Sequence, residues 1–164
     1  MKKILISACL LGEKVRYDGG GCLQNSDFLN RLSAEAELVP VCPEVAGGLS
    51  VPRQPAEIQT GNGSGVLQSG AEIINAAGEN VTRNFIKGAQ RTCEVAEEHR
   101  IKVAVLKANS PSCGNQQIYD GTFSGRLIAG EGVTAALLRQ AGISVFNENE
   151  IEPALAAITE PDTE

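Results

Sequence analysis

Three apolar runs, at residues 3–8, 37–41 and 101–106, each stop at a turn or loop that carries a cysteine. Cys9 follows the first in SACLLG, Cys42 the second in VCPE, and Cys113 the third across KANSPSCG. Short apolar runs bounded by Gly, Pro and Ser, and separated by helical segments, predict strands of a parallel sheet. Strands of such a sheet run one way, so their carboxyl ends share the edge where open α/β folds bind ligands. The pattern is equally that of three packed cysteines near strand ends. Spacing alone leaves both readings standing.

The rest of the chain fits the alternation. Residues 27–32 predict a short helix, and residues 79–100 a long one. In the long helix Val81, Phe85, Ala89, Cys93 and Ala96 recur at helical spacing, while Glu94, Glu97, Glu98 and Arg100 lie largely off that stripe. Residues 131–140 predict a further helix ended by Gly142. A last strand at 143–146 and a terminal helix at 148–158 follow. The expectation is an α/β fold with a mostly parallel, Rossmann-like sheet flanked by helices, in one domain spanning residues 1–164. A chain of 164 residues buries a core without staples.

Turn chemistry marks three segments. RYDGGG at 16–21 offers several positions free for positive φ. TGNGSG at 60–65 reads as a hairpin tip or flexible loop. Its glycines match a phosphate-binding run only loosely, because no Lys-Ser/Thr follows. YDGTFSG at 119–125 is the third.

A net charge of −6 argues against DNA or an anionic membrane as partner. No apolar run is long enough to span a bilayer. MKKILISAC mimics a lipoprotein signal, but its apolar stretch from Ile4 to Ile6 falls short of the roughly 7–15 residues a secretory segment uses. A cytoplasmic protein is expected. Five scattered cysteines, an odd number, do not form a disulfide framework. In a reducing compartment such cysteines are packed, catalytic or metal-binding.

Cys93, on the apolar stripe, is expected in the core as a small hydrophobe. Cys22, after the glycine-rich loop, is a fourth ligand, a redox partner or an incidental surface thiol, with the last favoured. Three thiolates at Cys9, Cys42 and Cys113 are soft ligands that suit zinc or an iron–sulfur cluster, and a set of three leaves one coordination position open. Glu44 is either the general base of such a site or a carboxylate paired with Arg16 or Arg53. Ser110 and Ser112, flanking Pro111, either bind substrate and donate protons or cap the turn. Arg16 and Arg53 are candidate phosphate contacts. His99, the single histidine, sits at a charged helix end unsuited to a triad.

SACLLGEKVRYDGG, VPVCPEVAGGLSVPRQPAEI and KANSPSCGNQQIYDGTFSG, in that order, resemble the motifs of the bacterial 2-thiouracil desulfurase family over residues 4 to about 138. The resemblance implies a [4Fe–4S] cluster on Cys9, Cys42 and Cys113, with one iron free to take the thiocarbonyl sulfur while water attacks the carbon. It further implies Glu44 as the residue that activates water or shuttles protons, with Ser110 assisting. The substrate would be a thiolated uracil or its nucleotide, with Arg16, Arg53 and Ser112 as contacts. Two rivals remain: a zinc hydrolase using the same three cysteines, and a non-catalytic cluster carrier or thionucleobase-binding module.

Overall fold

The structure, a computed structural model, describes residues 1–161. Its elements in chain order begin with β1 (Lys3–Ser7), a 3-10 turn over Ala8–Leu11, α1 (Ser26–Glu35), β2 (Glu37–Val41), α2 (Pro43–Ala46) and β3 (Ala56–Ile58). Next come α3 (Gly63–Gln68), β4 (Ile73–Asn75), α4 (Thr82–Glu98), β5 (Val103–Leu106) and β6 (Gln117–Tyr119). The chain closes with β7 (Leu127–Ala129), α5 (Val133–Gln140), β8 (Ser144–Asn147) and α6 (Ile151–Thr159).

The expected parallel α/β sheet forms, in the order β2-β1-β5-β8. β1 lies inside it, pairing with β2 from Lys3↔Glu37 to Ser7↔Val41 and with β5 at Leu5↔Ala104 and Ile6↔Val105. A parallel sheet covered on both faces needs apolar side chains on both, and its central strands supply them by simple alternation. Ile4, Ile6, Val103 and Val105 face Phe28 and Leu32 of α1 with Ala154 and Ile158 of α6. Leu5, Ala104 and Leu106 face Ala96 of α4 and Leu138 of α5. A third cluster joins the antiparallel pairs β3–β4 and β6–β7 to α3, α4 and α5 through Ile58, Val66, Ile73, Phe85, Ile118 and Val133.

The long helix is shorter than its apolar stripe predicts. At its start the Asn75 side chain accepts the N–H groups of Ala77 and Glu79, which draws residue 79 into a turn. At its end Arg100 adopts φ 54 and Ile101 N–H closes on Ala96 O. Its buried face is Phe85, Gly88, Ala89, Thr92 and Ala96. Cys93 falls on the flank of that face, half-buried beside the second cluster, with its sulfur 3.9 Å from Glu97 Oε1. Gly88 and Gly47 let two backbones touch. A Cβ on Gly88 would stand 1.9 Å from Pro43 O, and one on Gly47 2.0 Å from Asn84 O. The absence of those two side chains seats α2 directly on α4.

TGNGSG is a helix start rather than a hairpin tip or loose loop. Asn62 caps α3 by accepting Gly65 N–H at 3.1 Å, and Gly63 packs where a Cβ would lie 2.2 Å from Gly132 O. Asn62→Ala is therefore expected to cost about 1 kcal/mol of stability, read as a shift in the denaturant midpoint at constant slope.

Among the described residues, no helix is long and apolar enough to cross a membrane.

Candidate functional site

The carboxyl ends of β1, β2 and β5 deliver Cys9, Cys42 and Cys113 to the wall of one cavity of about 340 Å³. That volume is in the range of small-molecule sites. Arg16, Glu44, Arg53 and Ser110 line the same cavity. Each cysteine is set by its local backbone. Cys9 lies in the 3-10 turn, where its carbonyl accepts N–H groups from Gly12 and Cys22. Cys42 is the N-cap of α2, and its sulfur is approached by the Val45 and Glu44 backbone N–H groups. Cys113 donates its N–H to Ser110 Oγ at 2.7 Å. The turn that holds it is tied to the start of α5, because Pro111 O accepts Val133 N–H and Ser112 O accepts those of Thr134 and Ala135.

Ser112 turns the other way. It is 1% exposed, its Oγ lies 2.7 Å from Thr134 Oγ1, and it also hydrogen-bonds the Cys113 sulfur from outside the cavity wall. Ser110 caps the turn and also lines the cavity. His99 sits at the opposite end of the sheet, its Nδ1 3.3 Å from Lys3 Nζ. Cys22 is better packed than an incidental surface thiol. It is half-buried against the first core cluster, and its N–H reaches Cys9 O at 2.8 Å.

The thiols sense one another. Burial pushes Cys113 up to about 12, helped by the Glu44 carboxylate and then by Cys42 and Cys9, against a lowering hydrogen bond from Ser112. Burial likewise raises Cys9 to about 12, with Cys22 and Cys42 adding and Lys107 and Arg16 opposing. Cys42 is raised by burial, against the two N–H groups at the start of α2 and the Arg53 cation. Three thiolates here would repel strongly unless a cationic group lay between them. Among the described residues no three cysteine, histidine or carboxylate side chains converge on the position of a single metal ion. Three thiols in the wall of one cavity are the soft donor set that an iron–sulfur cluster takes.

Arg53 gives a second observation. Its Nη2 donates to Glu44 Oε2 at 2.8 Å and to Val15 O at 2.9 Å, and its Nη1 donates to Ser50 O at 3.1 Å. Its Nε is buried without a partner, the one such side-chain atom among the described residues. An orphaned buried donor costs about 1–3 kcal/mol. Glu44 thus pairs with Arg53, not Arg16, whose guanidinium lies 5.9 Å over the Tyr17 ring.

Sequence reasoning missed several residues of the wall, among them Tyr17, Glu57, Lys107, Tyr119 and Phe123. Lys107 directly follows β5, so the strand-end rule that found the cysteines would also have found it. Its Nζ pairs with Glu148 Oε2 at 2.8 Å. The others carry no periodic signal. With them, three of the chain's six aromatic residues line this cavity.

A parallel α/β sheet whose strand ends gather three soft ligands and a tethered carboxylate around a small-molecule cavity defines a class of cofactor-dependent enzyme fold. The sequence profile of the 2-thiouracil desulfurase family matches residues 4–150, and the chain belongs to that family. It is 48% identical over 152 residues to the uncharacterized protein YbbK of Bacillus subtilis (strain 168), an alignment covering 93% of this chain and 99% of the relative. Among solved structures it is similar to the [4Fe-4S]-dependent thiouracil desulfidase TudS. The TM-score is 0.85 at 42% identity, covering 97% of this chain and 99% of that one.

Proposed function

We propose that this protein is an iron–sulfur-dependent desulfurase that hydrolyses the C–S bond of a thiolated uracil, as free base or nucleotide. Thiouracil and water become uracil and hydrogen sulfide, with no net transfer of electrons. The observation that carries this reading is the delivery of three separated thiols and the Arg53-held Glu44 to one cavity. Cys9, Cys42 and Cys113 would hold a [4Fe–4S] cluster, whose iron lacking a protein ligand supplies a soft Lewis acid for the substrate sulfur.

The chain's own groups then divide the proton work. Arg53 binds Glu44 Oε2 and fixes the carboxylate plane, leaving Oε1 to accept a proton from the attacking water. The same carboxyl relays both protons of the water, one after the other, to the departing sulfur, so sulfide leaves as hydrogen sulfide and Glu44 ends the cycle ionised. Ser110 Oγ is oriented by Cys113 N–H, and its own O–H is free to donate a hydrogen bond to the substrate. Ser112 acts on Cys113 rather than on substrate. Arg53 is committed to Glu44, Val15 and Ser50 through its terminal nitrogens, so Arg16 is the better contact for the phosphate of a nucleotide. The reading places the enzyme in the cytoplasm, where thiols stay reduced.

The test is anaerobic reconstitution with iron and sulfide, followed by assay of sulfide and uracil from 2- and 4-thiouracil and their nucleotides. Cluster incorporation with sulfide release is expected. Bound zinc without iron, or a full cluster with no sulfide released from any of these substrates, would overturn the proposal. Glu44→Gln keeps the hydrogen bond to Arg53 and removes the base. Its rate is expected to fall about 10²–10⁴-fold with cluster content unchanged.

A further inference from the structure

We infer that Phe123 is the stacking face for the heterocyclic ring of the substrate, and that Glu57 is the positioning residue that holds it there. The inference rests on the proposed action on a thiolated pyrimidine.

Phe123 is an anomaly on three counts. It is 40% exposed, it joins none of the three core clusters, and its φ is 56. A bulky side chain in the left-handed region is strained, and such strain persists where the surroundings over-determine it. Here the strain secures no packing in the core. It places an aromatic ring in the wall of the cavity that carries the three thiols, alongside Tyr17 and Tyr119.

What over-determines the loop is a buried carboxylate. Glu57 of β3 is 7% exposed, and its Oε1 accepts the Gly121 N–H at 2.9 Å and the Phe123 N–H at 3.2 Å. Both backbone donors converge on the same carboxyl oxygen, so one side chain holds the loop at two points. Gly121, at φ 95, brings the loop backbone so close to β3 that a Cβ would lie 2.8 Å from both Ile58 O and Gln59 O. Asp120 Oδ1 then accepts the Thr122 N–H at 2.9 Å and closes the turn from within. The loop between β6 and β7 is fixed to β3 at two donors one residue apart, Gly121 and Phe123.

A flat aromatic face in a cavity recognises a flat ring, and base–aromatic stacking is sequence-tolerant because every base offers a π-face. Phe123 therefore favours thiolated rings over acyclic thioamides and leaves the position of the sulfur to other groups.

The experiment compares the reconstituted holoenzyme with Phe123→Ala, Phe123→Tyr, Glu57→Ala, Glu57→Gln and the Phe123→Ala/Glu57→Ala double variant. Turnover of 2-thiouracil and calorimetric binding of uracil are both measured. Phe123→Ala is expected to raise KM and the uracil Kd about tenfold, within the 5–150-fold span of measured stacking losses, with kcat within about twofold. Phe123→Tyr should restore both. Glu57→Ala should raise KM by a similar factor, and the double variant should be no worse than Phe123→Ala, since both act through one ring. Should Glu57→Ala not fold, Glu57→Gln, which keeps an acceptor and loses the charge, is expected to show an intermediate KM. Unchanged KM and uracil affinity in Phe123→Ala would overturn the role of Phe123, and additive losses in the double variant the role of Glu57. Absence of turnover by the unaltered holoenzyme would overturn the proposed function, and this inference with it.

Discussion

Cys113→Ala is expected to leave a folded protein that assembles no iron–sulfur cluster and releases no sulfide. The bonds that shape its turn survive the substitution, because Ser110 Oγ binds the residue 113 N–H and Ser112 binds Thr134. Loss of one small buried side chain from the second core cluster costs on the order of 1 kcal/mol. The loss of function thus comes from the missing ligand, not from unfolding. Cys9→Ala and Cys42→Ala should behave alike, whereas Cys22→Ala and Cys93→Ala should keep the cluster. Iron and acid-labile sulfide after anaerobic reconstitution, with circular dichroism as the folding control, decide this. The pH dependence has a definite sign. Cys9 and Cys113 are pushed up to about 12 in the cluster-free protein, so both are protonated at neutral pH, and assembly must release those protons. Loading should therefore improve from mildly acidic to mildly alkaline pH. The same shifts act on the cluster-free fold in the opposite direction. A thiol whose folded value exceeds its unfolded one stabilises the fold below the ordinary value of 9.0, and that contribution is lost as pH rises toward 12. Denaturant midpoints of cluster-free protein should fall over that interval.

The three cavity cysteines were readable because their position follows from a rule of topology. β1 and β2 run straight into Cys9 and Cys42, and a parallel sheet puts such residues on one edge whatever the helices do. Glu44 came with Cys42, and its pairing with Arg53 spans only nine residues. Other parts of the site depend on contacts with no linear trace. Glu57 meets Gly121 and Phe123 at separations of 64 and 66 residues. β3, β4, β6 and β7 have three residues each, too few for a period-2 pattern to register. Ser110 and Ser112 looked interchangeable in SPSCG, yet the turn sends one to the cavity and the other to Thr134. Asn62-Gly63 read as a loop because Gly63 answers to Gly132, a neighbour in space only. Sequence pattern thus placed the proposed ligands, while the residues proposed to shape the substrate cavity depend on tertiary contact.

Gly88→Ala is expected to destabilise the protein and to disable the site from outside it. Alanine for glycine within a helix ordinarily stabilises by about 0.5–1 kcal/mol, because glycine carries the larger backbone entropy loss. Here the sign reverses. The new Cβ would stand 1.9 Å from Pro43 O and 2.8 Å from its carbonyl carbon, and both are backbone atoms that no rotamer change can move. α2 would have to lift from α4, against a second close contact at Gly47 and the Asn84 Nδ2 bond to Gly47 O at 2.9 Å. Overpacking of this kind costs about 3 kcal/mol, which for a chain of this length lowers Tm by about 6–12 °C. α2 starts directly after Cys42 and carries Glu44 in its first turn, so lifting it withdraws a proposed thiol ligand and the proposed base together. Reconstituted Gly88→Ala should therefore bind less cluster than the unaltered protein even well below its melting temperature. Lys87→Ala, exposed on the same helix, should change stability by no more than about 0.5 kcal/mol and leave cluster content intact. Equal cluster loading in the two variants would show that the seat of α2 on α4 does not govern the site.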